Sequence, residues 1–599
     1  MDSRRWGARA PTSIQSRDQA SEMLGLAGRF SAGLERATKE SDRDKGRERT
    51  TGQIMPTLYS SSAQDAFSLC LERLNIMAGF KRDSAARKSH RSWYIYFVAS
   101  LTAVGGFLFG YDAGIISGVM VMDSFKNRFG ITNENFNDTS GSIAAILQLG
   151  GFAGSFVQHA LADYFGRKWT IIGMSVVFCI GAVMQTVASS LPLLYAGRCI
   201  GGFGLAIVAL AVSMYNAEAS PSDIRGAIVG IQDFMLAFGA AASYWTNYAC
   251  ERGFSSQADI QWRLPLGIQL VFSVILIFGV MILPKSPRWL AMKNRREEAA
   301  RSLAKLRGLP VEHEEIQEEL REIYYIIESR PSTSWKTVFA GENLRRLSVG
   351  LPLIVFQQFT GQNAIAYFAP TMFNRLGVHG TTSALLATGV VGLVKWWTSL
   401  VGVFLVDRVG RRLLLMAGTA VMCICMFFIG GYSVLSSGTG SELSAGGYIA
   451  AICVYLFMFG YSSSWGVLHF VIPAEIYTQN IRAKAETLSG MVEWPLQAAS
   501  IKLSPIMLAI PHGGAYFIFG GLLFLFFLWA FFMLPETKGH SLENMNDAFV
   551  GNPFTRWRRA KPRENPAEKV LELGQEEKGR DRHMNMTEIA GEPKVENED

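Results

Sequence analysis

The chain has 599 residues, of which 49% are apolar and only 18% are charged, and its formal net charge is +7. A soluble protein of this length normally carries more charge and fewer phenylalanines than the 39 found here. The composition therefore favours a membrane protein over a set of soluble domains. The positive net charge fits a basic surface beside anionic lipid and gives no indication of nucleic-acid binding.

The residues that usually carry chemistry show no enzyme pattern. The seven cysteines are an odd number without metal-ligand spacing, which predicts neither a disulfide framework nor a metal site. The sequence contains no recognisable pairing of nucleophile and base and no glycine-rich phosphate loop. We therefore expect no enzyme activity, no metal and no organic cofactor.

Long apolar runs follow a polar start. Residues 1–92 are dense in charged residues and serine, which predicts a largely disordered tail. Apolar runs of roughly 20 residues, the length that crosses about 30 Å of hydrocarbon, then predict six spans in residues 93–284 and six more in residues 347–534. Residues 285–346 form a polar linker with two stretches of helical periodicity, and residues 535–599 form a second polar tail. The predicted spans, numbered 1 to 12, are 95–119, 142–161, 169–188, 192–214, 227–248, 266–284, 347–370, 384–406, 413–434, 447–471, 487–510 and 514–534.

Positive charge marks one side of this predicted membrane domain. Lysine and arginine cluster in the connections after spans 2, 8 and 10 and in the linker, and they are scarcer in the connections on the other side. Because positively charged loops tend to stay in the cytosol, we expect the linker and both tails to be cytosolic. The residues concerned are Arg167, Lys168, Arg295, Arg296, Arg301, Lys305, Arg307, Arg345, Arg346, Arg408, Arg411, Arg412, Arg482 and Lys484.

A charged loop motif occurs twice, six spans apart. A glycine permits a tight turn at the membrane face, and the neighbouring acid and arginine can pair with helix ends and hold one conformation. One such motif is weak evidence, whereas two at equivalent places indicate duplication of a six-helix unit. The first copy contains Asp163, Gly166 and Arg167 after span 2, and the second contains Asp407, Gly410 and Arg411 after span 8.

A second pair of charges also occurs once in each half, with the same spacing between its glutamate and its arginine. Glu218 and Arg225 follow span 4, and Glu475 and Arg482 follow span 10. With these four loops the chain resembles the major facilitator superfamily. That resemblance implies an all-α membrane protein of twelve transmembrane helices, in two six-helix halves that are related by pseudo-twofold symmetry and rock about a midplane site.

Four further segments narrow the resemblance to the sugar porter family, over roughly residues 95–545. They are Gly197–Arg198 in span 4, Leu283–Leu290 after span 6, Gln357–Asn363 in span 7 and Leu534–Gly539 after span 12. The family implies transport of a hexose, a pentose or a related polyol. It also implies a central cavity in which amides of spans 5, 7, 10 and 11 hydrogen-bond the substrate hydroxyls.

Three amides of span 7, Gln357, Gln358 and Asn363, are the main candidate substrate contacts. An amide offers both a donor and an acceptor, so it can bind a neutral polyol without burying a charge. The alternative is that these amides bridge helices within the protein. Three amides on one short stretch favour substrate binding.

Other candidate substrate contacts depart from the family pattern. Span 5 carries Gln232 and Asp233 where the family usually has two glutamines, and span 11 carries Glu493 where the family often has asparagine. On span 10 the aromatic contact becomes Phe470, within a segment that lacks the usual proline. After span 6, Lys285 replaces the usual glutamate and reverses a charge in the loop network.

The two unexpected acids, Asp233 and Glu493, require a partner or a wet cavity, because an isolated charge in a membrane is costly. They could pair internally with Lys395 of span 8 or His469 of span 10, or they could bind a substrate that is rich in donors or cationic. We favour internal pairing or a polyhydroxylated neutral substrate. Two acids disfavour sugar acids such as quinate or galacturonate, unless a cation compensates.

Span 1 places a carboxyl group, Asp112, inside an apolar helix. Burial favours the protonated form of a carboxyl group and a nearby guanidinium favours the ionised form, so such a pair can exchange a proton as the conformation changes. The resemblance to proton-coupled sugar porters implies that Asp112 is the proton site and Arg198 its partner. The alternative is a permanent ion pair that holds the first half together.

Two other functional classes use the same helices. A passive sugar facilitator would share the spans, and the long tails are compatible with a nutrient sensor that binds sugar with little transport. The resemblance implies a monomeric functional unit, with a small sugar and the lipid bilayer as its partners. It also implies the plasma membrane, although a vacuolar protein would have the same spans.

Overall fold

The computed structural model describes most of the chain between the two tails. The predicted tail 1–92 lies outside the described residues, as does all of the predicted tail 535–599 beyond residue 538. The described residues are 93–221, 224–328, 334–436, 444–478 and 480–538.

Helices occupy every predicted span, and the described residues contain no strand. The all-α fold class is therefore confirmed. Spans 1 to 6 are Trp93–Val119, Phe136–Tyr164, Arg167–Thr186, Leu191–Ala219, Arg225–Gly253 and Ile260–Ile282. Spans 7 to 12 are Gly341–Gln358 with Gln362–Arg375, Thr381–Val409, Arg411–Leu435, Ala445–Ser463 with Trp465–Ile476, Arg482–Leu508 and Gly514–Met533.

Nine of these helical regions, among the described residues, are long and apolar enough to cross a membrane. The exceptions are spans 5, 7 and 11. Each of the three carries polar or charged residues in its middle, and span 7 is also interrupted. The structure therefore supports a multi-pass membrane protein, and the count of twelve crossings stays a prediction.

Spans 7 and 10 are broken, whereas the sequence predicted continuous helices. Span 7 is interrupted over 359–361, where Gly361 adopts a positive φ of 92°. Span 10 breaks at Ser464, whose φ of −123° and ψ of −82° are not helical. Span 7 also begins at Gly341, inside the predicted linker. A break within a span frees backbone groups, which are tolerated where they are buried in protein or line a cavity.

The packing of the helices repeats after six spans. Span 1 packs on span 5 as span 7 packs on span 11, and span 2 packs on span 4 as span 8 packs on span 10. Span 3 packs on span 6 as span 9 packs on span 12. The two halves meet where span 2 packs on span 11 and where span 8 packs on span 5. These two contacts are equivalent, because span 8 corresponds to span 2 and span 11 corresponds to span 5.

The linker carries the two helices that its periodicity predicted, Arg296–Arg307 and Glu314–Glu328. Arg307 fixes them to the first half. Its Nη1 donates to the carbonyl of Ala219 at the end of span 4 (2.8 Å), and its Nε and Nη2 donate to the carboxylate of Glu319 at 3.0 and 2.6 Å. The remaining short helices are Asp123–Phe129, Pro287–Met292, Trp335–Val338 and the 3₁₀ turn Pro511–Gly513.

Glycine allows spans 1 and 5 to approach closely. A Cβ atom added at Gly110 would lie 1.8 Å from the carbonyl oxygen of Leu236 and 3.0 Å from the nitrogen of Ala240. Both are backbone atoms, so a side chain at this position would force the two helices apart.

We therefore predict that Gly110→Ala destabilises the protein by about 1–3 kcal/mol, the usual cost of overpacking. The measurement is the thermal melting of detergent-solubilised protein by fluorescence-detected size exclusion. Gly173→Ala in span 3 is the matched control, because a Cβ atom there meets no atom within 4 Å. Equal melting of the two variants would contradict the close approach of spans 1 and 5.

Candidate translocation path and its gates

Asp112 and Arg198 form a fully buried and loosely held ion pair inside the first half. Arg198 Nη1 lies 3.8 Å from Asp112 Oδ1, and neither side chain has exposed surface. No hydrogen bond from the described residues reaches either oxygen of Asp112. Arg198 Nη1 also donates to Gln185 Oε1 at 3.4 Å. The two predicted coupling residues are therefore together, at a distance that permits attraction without a direct hydrogen bond.

Gln357 lies at the end of the first segment of span 7. Its Nε2 donates to the hydroxyl of Tyr461 on span 10 (2.6 Å), whereas its buried Oε1 accepts no hydrogen bond from the described residues. A buried acceptor without a partner is costly unless a ligand or water fills it. This amide therefore has a buried acceptor that a substrate hydroxyl could reach.

The other two amides of span 7 are engaged with their own surroundings. Asn363 Nδ2 donates to Gln358 Oε1 at 3.1 Å and contacts Ser500 Oγ of span 11 at 3.3 Å. The hydroxyl of Ser500 donates to the backbone carbonyl of Gln358 at 2.7 Å. Gln358 and Asn363 thus join the break in span 7 to span 11, which is the helix-bridging alternative; their predicted contact with substrate stays a prediction.

Two neighbouring residues of span 5 have different environments. Gln232 Nε2 donates to the carbonyl of Ala209 on span 4 (3.3 Å), and its buried Oε1 is unpartnered among the described residues. Asp233 is exposed although it lies within the span. The aromatic residue that follows it, Phe234, packs on Trp396 of span 8 with ring centroids 5.4 Å apart. Asp233 therefore sits beside the boundary between the two halves.

The remaining candidates lie on spans 10 and 11. Glu493 is partly exposed and is close enough to Tyr461 for an electrostatic interaction. The side chain of Phe470 is 53% exposed and lies against the ring of His469, with ring centroids 3.8 Å apart. Gln357 and Glu493 thus share Tyr461 as a neighbour, which places residues of spans 7, 10 and 11 close together.

Neither unexpected acid is internally paired in this structure. Within the part of the chain that the structure describes, neither Asp233 nor Glu493 has a basic group within 4.0 Å. Lys395 likewise takes part in none of the described ion pairs or hydrogen bonds, and His469 Nδ1 lies 2.7 Å from the carbonyl of Trp465. The predicted pairing of the acids with Lys395 or His469 is therefore absent here.

The loop after span 2 is held by a dense polar network. Arg167 is buried; its Nη1 lies 3.0 Å from Asp163 Oδ1, and its Nη2 lies 2.8 Å from Glu218 Oε1. The other oxygen of Glu218 accepts from the hydroxyl of Ser286, after span 6. Gly166 has a φ of 83°, and a Cβ atom there would collide with the ring of Trp289 at 2.8 Å. Spans 2, 3, 4 and 6 are thus joined at one end.

The second half repeats this network. Arg411 Nε and Nη2 donate to Glu475 Oε1 at 3.0 and 2.8 Å, and Thr537 Oγ1 donates to Glu475 Oε2. Gly410 has a φ of 99°, and a Cβ atom there would lie 2.9 Å from Glu536 Oε2. The roles of Arg167, Glu218 and Ser286 are taken by Arg411, Glu475 and Thr537.

Lys285 removes from the first half a contact that Glu536 makes in the second half. In the second half, the carboxylate of Glu536 accepts from the backbone N–H groups of Arg411 and Arg412 at 3.0 and 3.2 Å. An ammonium group cannot accept these bonds. Lys285 instead lies 3.7 Å from Glu298 of the linker, so the reversed charge contacts the linker helix rather than the start of span 3.

The remaining predicted gating residues are Arg225, Asp407 and Arg482. The side chains of Arg225 and Asp407 lie outside the described residues. Arg482 Nη2 donates to the carbonyl of Tyr477 at 3.2 Å. Glu218 and Glu475 lie within the last turns of their helices, and not after them as predicted.

Polar contacts between the halves lie away from these loops. We call the side with Gly166 and Gly410 the basic face, and the other side the opposite face. Nearer the opposite face, Lys502 of span 11 pairs with Asp138 of span 2, and Gln148 Nε2 of span 2 donates to the hydroxyl of Tyr367 on span 7 (2.9 Å).

A third contact, on the same side, joins span 5 to span 7. The hydroxyl of Tyr244 donates to the carbonyl of Ala366 at 2.9 Å. No sequence pattern predicts these contacts, because Tyr244, Tyr367 and Gln148 are ordinary polar residues of spans and their pairing depends on how two distant halves meet. The interior is therefore closed by direct contacts toward the opposite face.

The fold and the paired loops define a membrane transport protein of the major facilitator type. The profile of the family described as "Sugar (and other) transporter" matches residues 98–549. The chain belongs to this family. Its relatives include a protein described as a probable quinate permease from Aspergillus niger, 34% identical over 80% of this chain and 91% of that protein. A protein with the same description from Aspergillus fumigatus is 32% identical, with the same coverage.

Solved structures give the same class. The xylose transporter XylE from E. coli, in a partially occluded inward-open conformation, matches with a TM-score of 0.64 and 25% identity, over 75% of this chain and 100% of that one. XylE bound to 6-bromo-6-deoxy-D-glucose, described as a proton:xylose symporter, matches with a TM-score of 0.63 and 26% identity, over 76% of this chain and 99% of that one. The predicted resemblance is confirmed.

We predict that Glu218→Gln destabilises the protein by about 3 kcal/mol, because it leaves the buried guanidinium of Arg167 without its main counter-charge. Uptake should fall in parallel. The check is thermal melting and uptake at equal expression. Glu297→Gln removes the exposed partner of Arg301 in the linker and serves as the matched control with no expected change. If the two variants behave alike, the loop network does not hold the first half together.

Proposed function

We propose that this protein is a proton symporter that carries a sugar or related polyol across a membrane by alternating access. The transporter class follows from the family. The proton, the substrate and the direction are our inferences. We further propose a monomeric functional unit in the plasma membrane, with the linker and both termini in the cytosol, no cofactor, no nucleic-acid partner and no enzyme activity.

The buried Asp112–Arg198 pair carries the proposal of proton coupling. An ion pair that only stabilises a fold normally gains direct, well-aligned hydrogen bonds, because these offset the cost of desolvation. At 3.8 Å, with both carboxylate oxygens lacking a hydrogen bond from the described residues, this pair is incompletely satisfied. Protonation of Asp112 would remove its negative charge at little structural cost. Release of the proton would restore the attraction between Asp112 and Arg198.

The proposed substrate contacts surround the meeting point of the halves. Gln357 and Gln232 each have a buried amide oxygen free to accept from a substrate hydroxyl, and Asp233 is accessible beside the boundary. Asp112 lies on span 1, which packs on span 5. Movement of span 5 against span 8 would therefore act on the proton site and on the substrate site together.

The contact pattern supports a state that is open toward the basic face. The hydrogen bonds and ion pair joining Asp138 to Lys502, Gln148 to Tyr367 and span 5 to span 7 hold the other side closed. The similarity to inward-open XylE agrees with this state. If the basic face is cytosolic, as its arginines and lysines predict, the state described is the one that releases substrate and proton to the cytosol.

We predict that Asp112→Asn abolishes accumulation of substrate against its gradient but leaves counterflow exchange, because exchange needs the rocking motion without net proton movement. The measurement is radiolabelled uptake, with and without a protonophore, in a transporter-deficient yeast, over hexoses, pentoses, polyols and sugar acids. Asp123→Asn, in a surface helix, is the matched control and should transport like the parent.

Results that contradict proton symport would indicate a different function. Equal loss of accumulation and exchange in Asp112→Asn, with normal surface expression, would assign the pair to structure alone. Uptake by the parent that never exceeds equilibrium and ignores the protonophore would identify a passive facilitator. Absence of uptake by correctly localised parent protein, combined with substrate-dependent changes in the expression of other transporters, would identify a sensor.

A further inference from the structure

We propose that Lys395 recognises a carboxylate, so that the preferred substrate is a polyhydroxylated acid rather than a neutral sugar. This inference rests on the proposed transport function and names the substrate class of the same path. It also supplies the compensating cation without which two cavity acids would disfavour such a substrate.

Lys395 faces the interior of the protein from the middle of span 8. The exposed apolar residues of this helix include Trp397, Val401 and Phe404. At 100° per residue they lie roughly 120–180° around the helix from Lys395, so they mark the lipid side and Lys395 lies away from it. The residue is about 14 positions from either end of the helix, or about 20 Å, which is too far for its ammonium group to reach the membrane surface.

The ammonium group of Lys395 has no counter-charge in the described residues. It appears in none of their ion pairs or hydrogen bonds, although the side chain is partly accessible. An isolated charge in the membrane interior is costly, and intramembrane charges face water or a partner and mark substrate paths. A transient partner that arrives with the substrate meets this requirement.

Neighbouring polar groups suit a substrate that bears both a carboxylate and hydroxyls. Trp396, next to Lys395, has a buried indole N–H without a partner among the described residues, and its ring packs on Phe234. Phe234 follows Asp233, so the carboxyl group of Asp233 lies one residue along span 5 from this contact with span 8. A carboxylate bound to Lys395 would leave ring hydroxyls to donate to Asp233 and to the free oxygen of Gln357.

A neutral sugar fits this arrangement less well. It would leave the ammonium group desolvated and unpaired while the binding site is closed, which costs binding energy. A cationic substrate would meet like charge at Lys395. The names of the curated relatives, probable quinate permeases, point independently to a cyclic polyhydroxylated acid.

The test measures binding of quinate and of quinamide, the uncharged amide with the same ring and hydroxyls, to purified full-length protein. We expect the parent to bind quinate at least about tenfold more tightly than quinamide, the value of one charge-assisted hydrogen bond. Lys395→Met should abolish that preference by weakening quinate alone, and Lys395→Arg should retain part of it. Lys336→Met removes an exposed lysine from the linker and should change neither affinity.

Two results would overturn the inference while leaving transport intact. One is binding or uptake of a neutral sugar by a parent protein that does not bind quinate. The other is an equal loss of quinate and quinamide binding in Lys395→Met, which would assign the lysine to helix packing. Failure of the parent to bind or transport any compound of either class would overturn the proposed function as well.

Discussion

The buried Asp112–Arg198 ion pair requires that the helices around it hold both charges in place. Two opposite charges lie without exposed surface, 3.8 Å apart, in a domain that offers no bulk water to either of them. Such a pair is stable only if the surrounding helices are held firmly, because removal of either partner leaves an uncompensated charge. Close glycine contacts between spans 1 and 5 hold the helix that carries Asp112.

Each half is cross-linked by its own polar network. Arg167 and Arg411 each bind a glutamate from a distant span of their own half, and neither network crosses to the other half in the described contacts. The halves touch through spans 2 and 11 and through spans 5 and 8. A conformational change that preserves both arginine networks and replaces the contacts of Lys502, Gln148 and Tyr244 is therefore the one with the lowest cost.

The sequence predicted those features that depend on one helix or on a repeated motif. Span positions followed from apolar length, the linker helices from their periodicity, and the equivalence of the two loops from Gly166 and Gly410. Asp112 and Arg198 were paired through the family resemblance, and the structure brings them together. The breaks in spans 7 and 10 were missed, because a search for apolar length does not detect an interruption of one to three residues, such as 359–361 or Ser464.

Features that depend on contacts between distant helices were not predictable. The sequence allowed Lys395 to pair with Asp233 or Glu493, and only the arrangement of spans 5, 8 and 11 decides that it does not. In the same way, the amides of span 7 look equivalent in sequence. The structure separates Gln357, whose buried oxygen lacks a partner among the described residues, from Gln358 and Asn363, which bond each other and contact Ser500 of span 11.

The most direct test of the account is the movement of protons during transport. Purified protein is reconstituted into vesicles that contain a pH-sensitive dye, and a substrate identified by uptake is added outside without any imposed pH gradient. We predict that its entry acidifies the vesicle interior, and that Asp112→Asn exchanges the same substrate without any change in interior pH. Substrate entry through the parent protein at constant interior pH would contradict the assignment of the buried pair to proton coupling.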